Sequence, residues 1–280
     1  MKTILVPTDF SEAASNAAVY AVNLAKEIKA QVCLLHIYQL PIPISEVPVM
    51  VISPDELQNL IEIRLKKEVE QLMKKSVVVV NYLVKTGSAV SEILKEEKNA
   101  NLIVMGMKGA GKLSEVLMGS VTTTTLRKAK IPVLVIPENA KYKKPEKIVF
   151  ACDYDSRTDM HILKVLKDFI KGYGSQLYVL NVKQRNEPVS VEEAMLSMRV
   201  DNKLNDVEHF YCFPEKDDLV EGINKFVEDH KADMVAIIPH RYSLMEYLFH
   251  KSISKKMAFH THVPLLALPD NHKSIPAYFL

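Results

Sequence analysis

Short apolar runs alternate with longer amphipathic segments throughout the first half of the chain. Apolar runs at residues 3–6, 31–37, 77–84, 102–105 and 131–136 have the length of buried strands, and predict five of them. Between these runs, apolar residues recur every three or four positions, which predicts four helices with one buried face each. Strands that alternate with helices in this way form a parallel sheet that is covered on both faces.

Two of the expected helices begin with capping signals. Ser11 is positioned to cap the first helix, which has mostly alanine on its apolar face and is expected to pack closely on the sheet. Ser53 and Glu56 form a capping box around Pro54, and predict a second helix that runs to about Lys75. The apolar stripe of this second helix consists of Leu57, Leu60, Ile61, Leu65, Val69 and Leu72. The third and fourth helices are expected at residues 88–98 and 121–130.

The strand order determines where a ligand would bind. With the order 3-2-1-4-5 of a doubly wound sheet, the order reverses between strands one and four, and ligands bind beyond the carboxyl ends of the strands at that reversal. Asp9 follows strand one, and a glycine-rich loop that begins at Gly106 follows strand four. Two features that are distant in sequence are therefore expected to meet in one crevice.

The pattern of the first half restarts after residue 145. Residues 147–153 resemble residues 3–9, residues 176–182 resemble residues 31–37, and residues 263–269 resemble residues 131–137. A repeat of this kind indicates a tandem duplication of one domain. The expected domains are residues 1–138 and residues 146–270, joined by a linker at residues 139–145.

The second copy lacks the glycines of the first. When the two copies are aligned on their last strands, three glycines are replaced by larger side chains and one hydroxyl is kept. The aligned pairs are Gly106 with Ile238, Gly109 with Arg241, Gly119 with Lys251 and Ser120 with Ser252. Side chains in place of these glycines would fill the space in which backbone must meet a phosphate. A phosphate-containing ligand at the glycine-rich loop of the first domain is therefore not expected to have an equivalent in the second domain.

Composition and charge narrow the class of protein. The chain of 280 residues is 48% apolar and 25% charged, as in ordinary soluble globular proteins, and its formal net charge of +2 gives no electrostatic reason to expect binding to nucleic acid or a membrane. The three cysteines are expected to be buried reduced thiols. The chain starts directly in a strand without a signal peptide, and its apolar runs stay below 18 residues. These features together predict a cytoplasmic protein.

The glycine-rich loop fits two known patterns to different extents. Gly106 to Lys112 follows the Walker A pattern G-x-x-x-x-G-K-[ST], but Leu113 stands where a hydroxyl should hold magnesium. The longer pattern G-x2-G-x9-G-[ST] is met at every position, from Gly106 to Ser120. Because the helix that follows opens at Ser120, its free N–H groups and positive dipole end would attract an anion such as phosphate.

The chain resembles the universal stress protein family over nearly its full length. The matching segments are Val-Pro-Thr-Asp-Phe-Ser at residues 6–11, Leu-Leu-His-Ile at residues 34–37 and the complete glycine pattern. The resemblance implies two tandem, doubly wound, five-stranded α/β domains of the adenine nucleotide alpha hydrolase-like fold. It also implies that the first domain binds ATP or a related adenine nucleotide. Mg or Mn would accompany the nucleotide and bridge its phosphate oxygens, and the other ligands of the metal would be mostly water.

The resemblance assigns the nucleotide-binding residues to the carboxyl ends of the strands and to the glycine pattern. They are Pro7 and Thr8 at the base, Asp9 at the ribose or adenine, Ile37 against adenine, and Gly106, Gly109, Gly119, Ser120, Val121 and Thr122 at ribose and phosphates. Lys108 is added because a cation inside the loop could meet phosphate, although a solvated loop lysine explains it equally well. No catalytic residue and no protein metal ligand are expected, since His260 and His262 have no third ligand at a suitable spacing.

Three classes of function stay open on the sequence. The favoured one is a nucleotide-dependent sensor or regulator of a stress response, with slow ATP hydrolysis as a side activity. The second is a slow ATPase or phosphotransferase, and the third is a nucleotide-free dimeric scaffold. For assembly, both fifth strands are apolar edge strands flanked by proline, so they are expected to pair within one chain as a pseudo-dimer, and a homodimer is possible.

Overall fold

The structure is a computed structural model of the chain, and it describes residues 1–40, 53–74, 76–107, 118–152, 160–182, 191–216, 218–239 and 262–269. The first half consists of β1 (Thr3–Pro7), α1 (Glu12–Ile28), β2 (Gln31–Tyr38), α2 (Pro54–Met73), β3 (Val80–Thr86), α3 (Ala89–Glu96) with a 3₁₀ turn (Glu97–Asn99), β4 (Leu102–Met107), α4 (Ser120–Lys128) and β5 (Val133–Pro137). The second half consists of β6 (Lys147–Ala151), α5 (Met160–Tyr173), β7 (Gln176–Leu180), α6 (Val191–Leu204), β8 (His209–Cys212), α7 (Leu219–His230), β9 (Met234–Ile237) and β10 (Leu265–Ala267).

The ten strands of the described residues form one sheet with the order β3-β2-β1-β4-β5-β10-β9-β6-β7-β8. The strands of each half are parallel, and each half has the predicted order 3-2-1-4-5 when its own strands are numbered in sequence. The two halves join through β5 and β10, which are antiparallel and place Leu134 opposite Leu266. The predicted fold class, two doubly wound five-stranded units in tandem, is therefore confirmed.

The sheet register shows which residues of the two halves occupy equivalent positions. Ile4 lies opposite Leu102 in the first half, and Ile148 lies opposite Met234 in the second. Counting forward four residues from Leu102 and from Met234 places Gly106 and Ile238 at the same position. The register thus gives the same pairing of Gly106 with Ile238 that the sequence repeat gives.

Helix α1 follows the sequence prediction closely. The Ser11 side chain accepts a hydrogen bond from the backbone N–H of Ala14, at 3.2 Å, and caps the helix. The alanines of the inward face are fully buried, among them Ala17 and Ala21. Because alanine side chains are small, the backbone of α1 lies close to β1 and β4, where the ligand crevice is expected.

Helix α2 confirms its capping box but not its whole apolar stripe. Ser53 accepts from the N–H of Glu56, and the Glu56 carboxylate accepts from the N–H of Ser53. Of the predicted stripe, Ile61, Leu65 and Leu72 are buried, whereas Leu60 is 56% exposed. The prediction for Leu60 was wrong because an apolar residue beside the stripe need not face the sheet. The helix also ends at Met73, slightly before the predicted Lys75.

Strand β3 begins later than its valine-rich sequence predicts. The expected start was Val77, which is 92% exposed, and the strand runs instead from Val80 to Thr86. Its partner β2 begins at Gln31, and the first aligned pair is Val32 with Val80. Residues 77 and 78 therefore extend beyond the first residue of the partner strand, and β propensity alone does not make a strand without a neighbour.

The segment between the two halves is held to the second half by one carboxylate. Asp233 accepts hydrogen bonds from the N–H groups of Glu146 and Lys147, at 2.9 and 3.0 Å, and from the Lys143 ammonium at 2.8 Å. At the matching position of the first half, the Asn101 side chain accepts from the N–H of Thr3, at 2.9 Å. In both halves, the residue before the fourth strand thus accepts a hydrogen bond from the first residue of the first strand. The second half adds the bonds from Glu146 and Lys143. Within the described ranges, no helix is long and apolar enough to cross a membrane.

Candidate functional site

The carboxyl ends of β1 and β4 lie side by side at the point where the strand order reverses. β1 is flanked by β2 on one side and by β4 on the other. Residues 8–11 form the turn that follows β1. After β4, the described chain resumes at Met118, and α4 begins at Ser120. This is the place where doubly wound sheets bind their ligands, and it brings Asp9 and Gly106 to one end of the sheet, as the sequence predicts.

Short-range hydrogen bonds shape the turn that carries Asp9. Thr8 is buried, and its N–H donates to the Leu35 carbonyl at 2.9 Å. The Thr8 hydroxyl accepts from the N–H of Phe10 at 3.1 Å, and a carboxylate oxygen of Asp9 accepts from the N–H of Ser11 at 3.0 Å. The Asp9 side chain is exposed, while Pro7 and Ile37 beside it are half-buried. The turn therefore presents one carboxylate at the mouth of the crevice.

Gly106 is explained by packing within the protein. A Cβ atom added there would lie 2.6 Å from the carbonyl carbon of Ala13, and closer still to the carbonyl oxygen. These are backbone atoms of α1, so they cannot rotate away. The absence of a side chain at Gly106 is what allows the first turn of α1 to rest on the end of β4.

Gly119 has surroundings different from those of Gly106. Its backbone angles, φ −59° and ψ 149°, are open to any residue. A Cβ atom added there would have no atom of the described residues within 4 Å. Neither backbone conformation nor packing among the described residues requires glycine at position 119.

The first turn of α4 is suited to an anion. Gly119 is its N-cap, and no side chain of the described residues caps this end. The first turn contains no acidic residue, so the positive end of the helix dipole is not compensated there. The first N–H groups of a helix, here those of Ser120, Val121 and Thr122, have no partner within the helix, and such groups bind phosphates in many proteins.

Thr122 has a structural contact that the sequence did not predict. Its side chain is buried, and its hydroxyl donates to the Gly106 carbonyl at 3.2 Å. The hydroxyl thus connects the first turn of α4 to the end of β4. Ser120, by contrast, is exposed at the same end of the helix, and Val121 is half-buried.

Several of the predicted positions lie outside the described residues. They include Lys108 and Gly109 in the glycine pattern, and Arg241, Lys251 and Ser252 in the second half. In the second half, Ile238 is described and is buried in the core, at the position that Gly106 occupies in the first. Within the described ranges, no cluster of three or more His, Cys, Asp or Glu residues could hold a metal ion.

Comparison with known proteins agrees with this geometry. The sequence model described as the universal stress protein family matches residues 1–137. Universal stress protein MJ0531 of Methanocaldococcus jannaschii is 32% identical over 155 residues, which cover 52% of this chain and 84% of that protein. Universal stress protein MJ0577 of the same organism is 34% identical over 153 residues, which cover 48% of this chain and 94% of that protein.

A solved structure resembles the whole chain. The universal stress protein from Archaeoglobus fulgidus DSM 4304 has a TM-score of 0.74 at 20% sequence identity, and the match covers 96% of this chain and 98% of that one. At this identity the likeness shows the fold alone, and it shows that fold for both halves. Together with the family match to residues 1–137 and the two sequence relatives, these findings show that the chain belongs to the universal stress protein family.

Proposed function

We propose that the first domain binds ATP or a related adenine nucleotide in the crevice between β1 and β4, and that the chain acts as a nucleotide-dependent regulator of a stress response. The observation that carries this proposal is the start of α4. An uncapped helix end without acidic residues follows a glycine that neither backbone conformation nor packing among the described residues requires. Open space beside the backbone and exposed N–H groups are what a phosphate needs.

The proposed contacts divide between the two ends of the nucleotide. The N–H groups of Ser120, Val121 and Thr122, with the Ser120 hydroxyl, would bind phosphate oxygens, and Lys108 and Gly109 would complete that end. Pro7, Thr8, Asp9 and Ile37 would surround the nucleoside. Mg²⁺ or Mn²⁺ would be held mainly by phosphate oxygens and water.

We propose binding rather than rapid turnover as the function. The groups that the described part of α4 offers to phosphate are backbone N–H groups and a serine hydroxyl. They stabilise negative charge, but none of them is a general base that could activate water or a hydroxyl nucleophile. A domain of this kind is suited to report whether nucleotide is present.

We propose that only the first domain binds nucleotide in this manner. The second half has Arg241 in place of Gly109 and Lys251 in place of Gly119, and Gly119 is the glycine that packing among the described residues does not require. We also propose that the β5–β10 pairing takes the place of a dimer interface, because it joins two domains of the same topology through their fifth strands.

The test deletes one backbone N–H group while keeping the helix. Proline is favoured at the first position of a helix, where its missing N–H is not used by the helix, and Pro54 already occupies this position in α2. Gly119, with ψ at 149°, also has the extended backbone that the residue before proline prefers. Ser120→Pro should therefore keep α4 and lose one phosphate donor, while Ser120→Ala loses only the hydroxyl and is the matched control.

Isothermal titration with MgATP gives the readout. Wild-type protein should bind MgATP, and Ser120→Pro should bind it about 10- to 100-fold more weakly, since a hydrogen bond to a charged group contributes about 1.5–3 kcal/mol. Ser120→Ala should lose less. Wild-type protein that fails to bind any adenine nucleotide, or a Ser120→Pro variant that binds as wild type does, would contradict the proposed site.

A further inference from the structure

The residue after Asp9 has an unusual backbone conformation. Phe10 has φ of 62°, in the left-handed region that bulky residues rarely enter. Such a conformation costs about 1–3 kcal/mol and persists only where the surrounding contacts hold it. The contacts around Phe10 therefore decide how the turn presents the Asp9 carboxylate.

Two side chains from other elements contact the Phe10 ring. The His36 ring of β2 lies 4.4 Å from it, centroid to centroid, with an angle of 31° between the ring planes. The guanidinium carbon of Arg64 in α2 lies 4.1 Å from the Phe10 centroid, at the distance of a cation–π contact. The turn is thus fixed by residues that are 26 and 54 positions away from Phe10 in the sequence.

His36 also fixes the residue before Asp9. Its Nδ1 atom lies 2.8 Å from the Thr8 carbonyl oxygen. Because a carbonyl oxygen only accepts, Nδ1 carries the hydrogen and donates it. One imidazole ring therefore contacts both neighbours of Asp9: Thr8 through a hydrogen bond and Phe10 through its ring face.

The residue of the second half that corresponds to His36 is Asn181, which can make the hydrogen bond but has no ring. Asn181 follows β7 as His36 follows Leu35 in β2, and its side-chain amide donates to the Cys152 carbonyl at 2.9 Å. Cys152 is the residue after β6, as Thr8 is the residue after β1. The hydrogen bond to this backbone carbonyl is thus common to both halves, and an asparagine side chain can donate it as well as a histidine ring can. The imidazole ring is present only in the half that has the complete glycine pattern.

We propose that His36 is a positioning residue for nucleotide binding, which holds Phe10 in its left-handed conformation and thereby fixes the Asp9 carboxylate. This inference rests on the proposed nucleotide site. Without the ring, Phe10 is free to relax to negative φ, and the turn carries Asp9 away from its binding geometry. The strain at Phe10 must then be restored whenever nucleotide binds, which weakens binding.

The second half supplies the diagnostic variant. His36→Asn retains a donor to the Thr8 carbonyl, as Asn181 does for Cys152, and removes the ring. It should unfold at nearly the wild-type temperature while its affinity for MgATP falls about tenfold, given the strain that must be restored. Asp9→Asn should also weaken MgATP binding, and the double variant should bind no more weakly than the worse of the two single variants, because both changes act on the same carboxylate.

Isothermal titration of these variants distinguishes the outcomes. If wild-type protein binds MgATP and His36→Asn binds it equally well, this inference is overturned and the proposed function stands. Effects of His36→Asn and Asp9→Asn that add fully would also overturn it, because His36 would then act independently of Asp9. Wild-type protein that does not bind MgATP would overturn the proposed function, and this inference with it.

Discussion

Replacing Gly119 by alanine adds one methyl group at the start of α4, and the same replacement at Gly106 adds one at the end of β4. Both residues belong to one sequence pattern, yet the structure gives them different surroundings. The new methyl group at position 119 would meet no described atom within 4 Å, whereas at position 106 it would lie 2.6 Å from a backbone carbon of Ala13. The two substitutions should therefore separate the folding role of a glycine from its ligand-binding role.

The expected change in the free energy of unfolding is small for Gly119→Ala. Alanine is a poorer N-cap than glycine, which costs several tenths of a kcal/mol up to about 1 kcal/mol. Alanine also lowers the entropy of the unfolded chain, which stabilises the protein by about 0.4–1 kcal/mol where the backbone conformation suits it, as at Gly119. The two effects nearly cancel, so the net change should stay within about 0.5 kcal/mol.

The expected change is larger for Gly106→Ala. The first turn of α1 must move away from β4, because neither the carbonyl group of Ala13 nor the new methyl group can rotate out of the contact. Overpacking of this kind costs about 1–3 kcal/mol. We therefore expect Gly106→Ala to lower the free energy of unfolding by at least about 1 kcal/mol.

Nucleotide binding should show a different order of effects. In Gly119→Ala the methyl group occupies the space proposed for phosphate, and a misfit of about 1–3 kcal/mol corresponds to a loss of about 5- to 150-fold in MgATP affinity. Urea denaturation of the nucleotide-free protein measures the first quantity, and isothermal titration measures the second. The reasoning is refuted if Gly119→Ala binds MgATP as wild type does, or if it destabilises the nucleotide-free protein as much as Gly106→Ala.

Two further predictions concern carboxylates that accept hydrogen bonds from backbone N–H groups. Glu97 is buried and accepts from the N–H of Lys130 at 2.8 Å, and burial raises the pKa of its carboxyl above the usual value of 4.5. The stability that this raised pKa contributes is fully present below pH 4.5 and is lost as the pH rises through the folded-state pKa. Glu97→Gln keeps a hydrogen-bond acceptor but cannot ionise, so it should remove this pH dependence and be no less stable than wild type at pH 7. Urea denaturation from pH 4 to pH 7 measures it, and a loss above about 1 kcal/mol at pH 7 would contradict it. Asp233→Ala should cost about 1–3 kcal/mol because it leaves the N–H groups of Glu146 and Lys147 without their acceptor, whereas Asp233→Asn should retain most of the stability, as Asn101 does in the first half. Thermal unfolding of both variants measures this difference, and equal losses would argue against the hydrogen bonds as the cause.

Much of the fold could be predicted because its signals are local. The cap at Ser11, the capping box at Ser53 and the alternation of strands with helices are all contained in short sequence windows, and all appear in the structure. The general rule for doubly wound sheets then placed Asp9 and Gly106 at the same end of the sheet, which the neighbouring positions of β1 and β4 confirm.

Other features depend on contacts between distant residues and gave no local signal. The late start of β3 follows from where β2 begins, and the exposure of Leu60 follows from how α2 sits on the sheet. The glycine pattern indicated a phosphate site, but it could not reveal that Gly106 serves the packing of α1. The contact of His36 and Arg64 with Phe10 was equally hidden, although His36 lies within the matched segment Leu-Leu-His-Ile.

The stoichiometry of bound nucleotide tests the central proposal most directly. The full chain would be purified without added nucleotide and denatured, and the released small molecules would be identified and counted by mass spectrometry. Equilibrium dialysis with MgATP would then measure the sites per chain. We expect one adenine nucleotide per chain, and less of the copurified nucleotide in Ser120→Pro because that variant should bind it more weakly. Two nucleotides per chain would contradict the restriction to the first domain, and none, either released or bound on addition of MgATP, would contradict nucleotide binding itself.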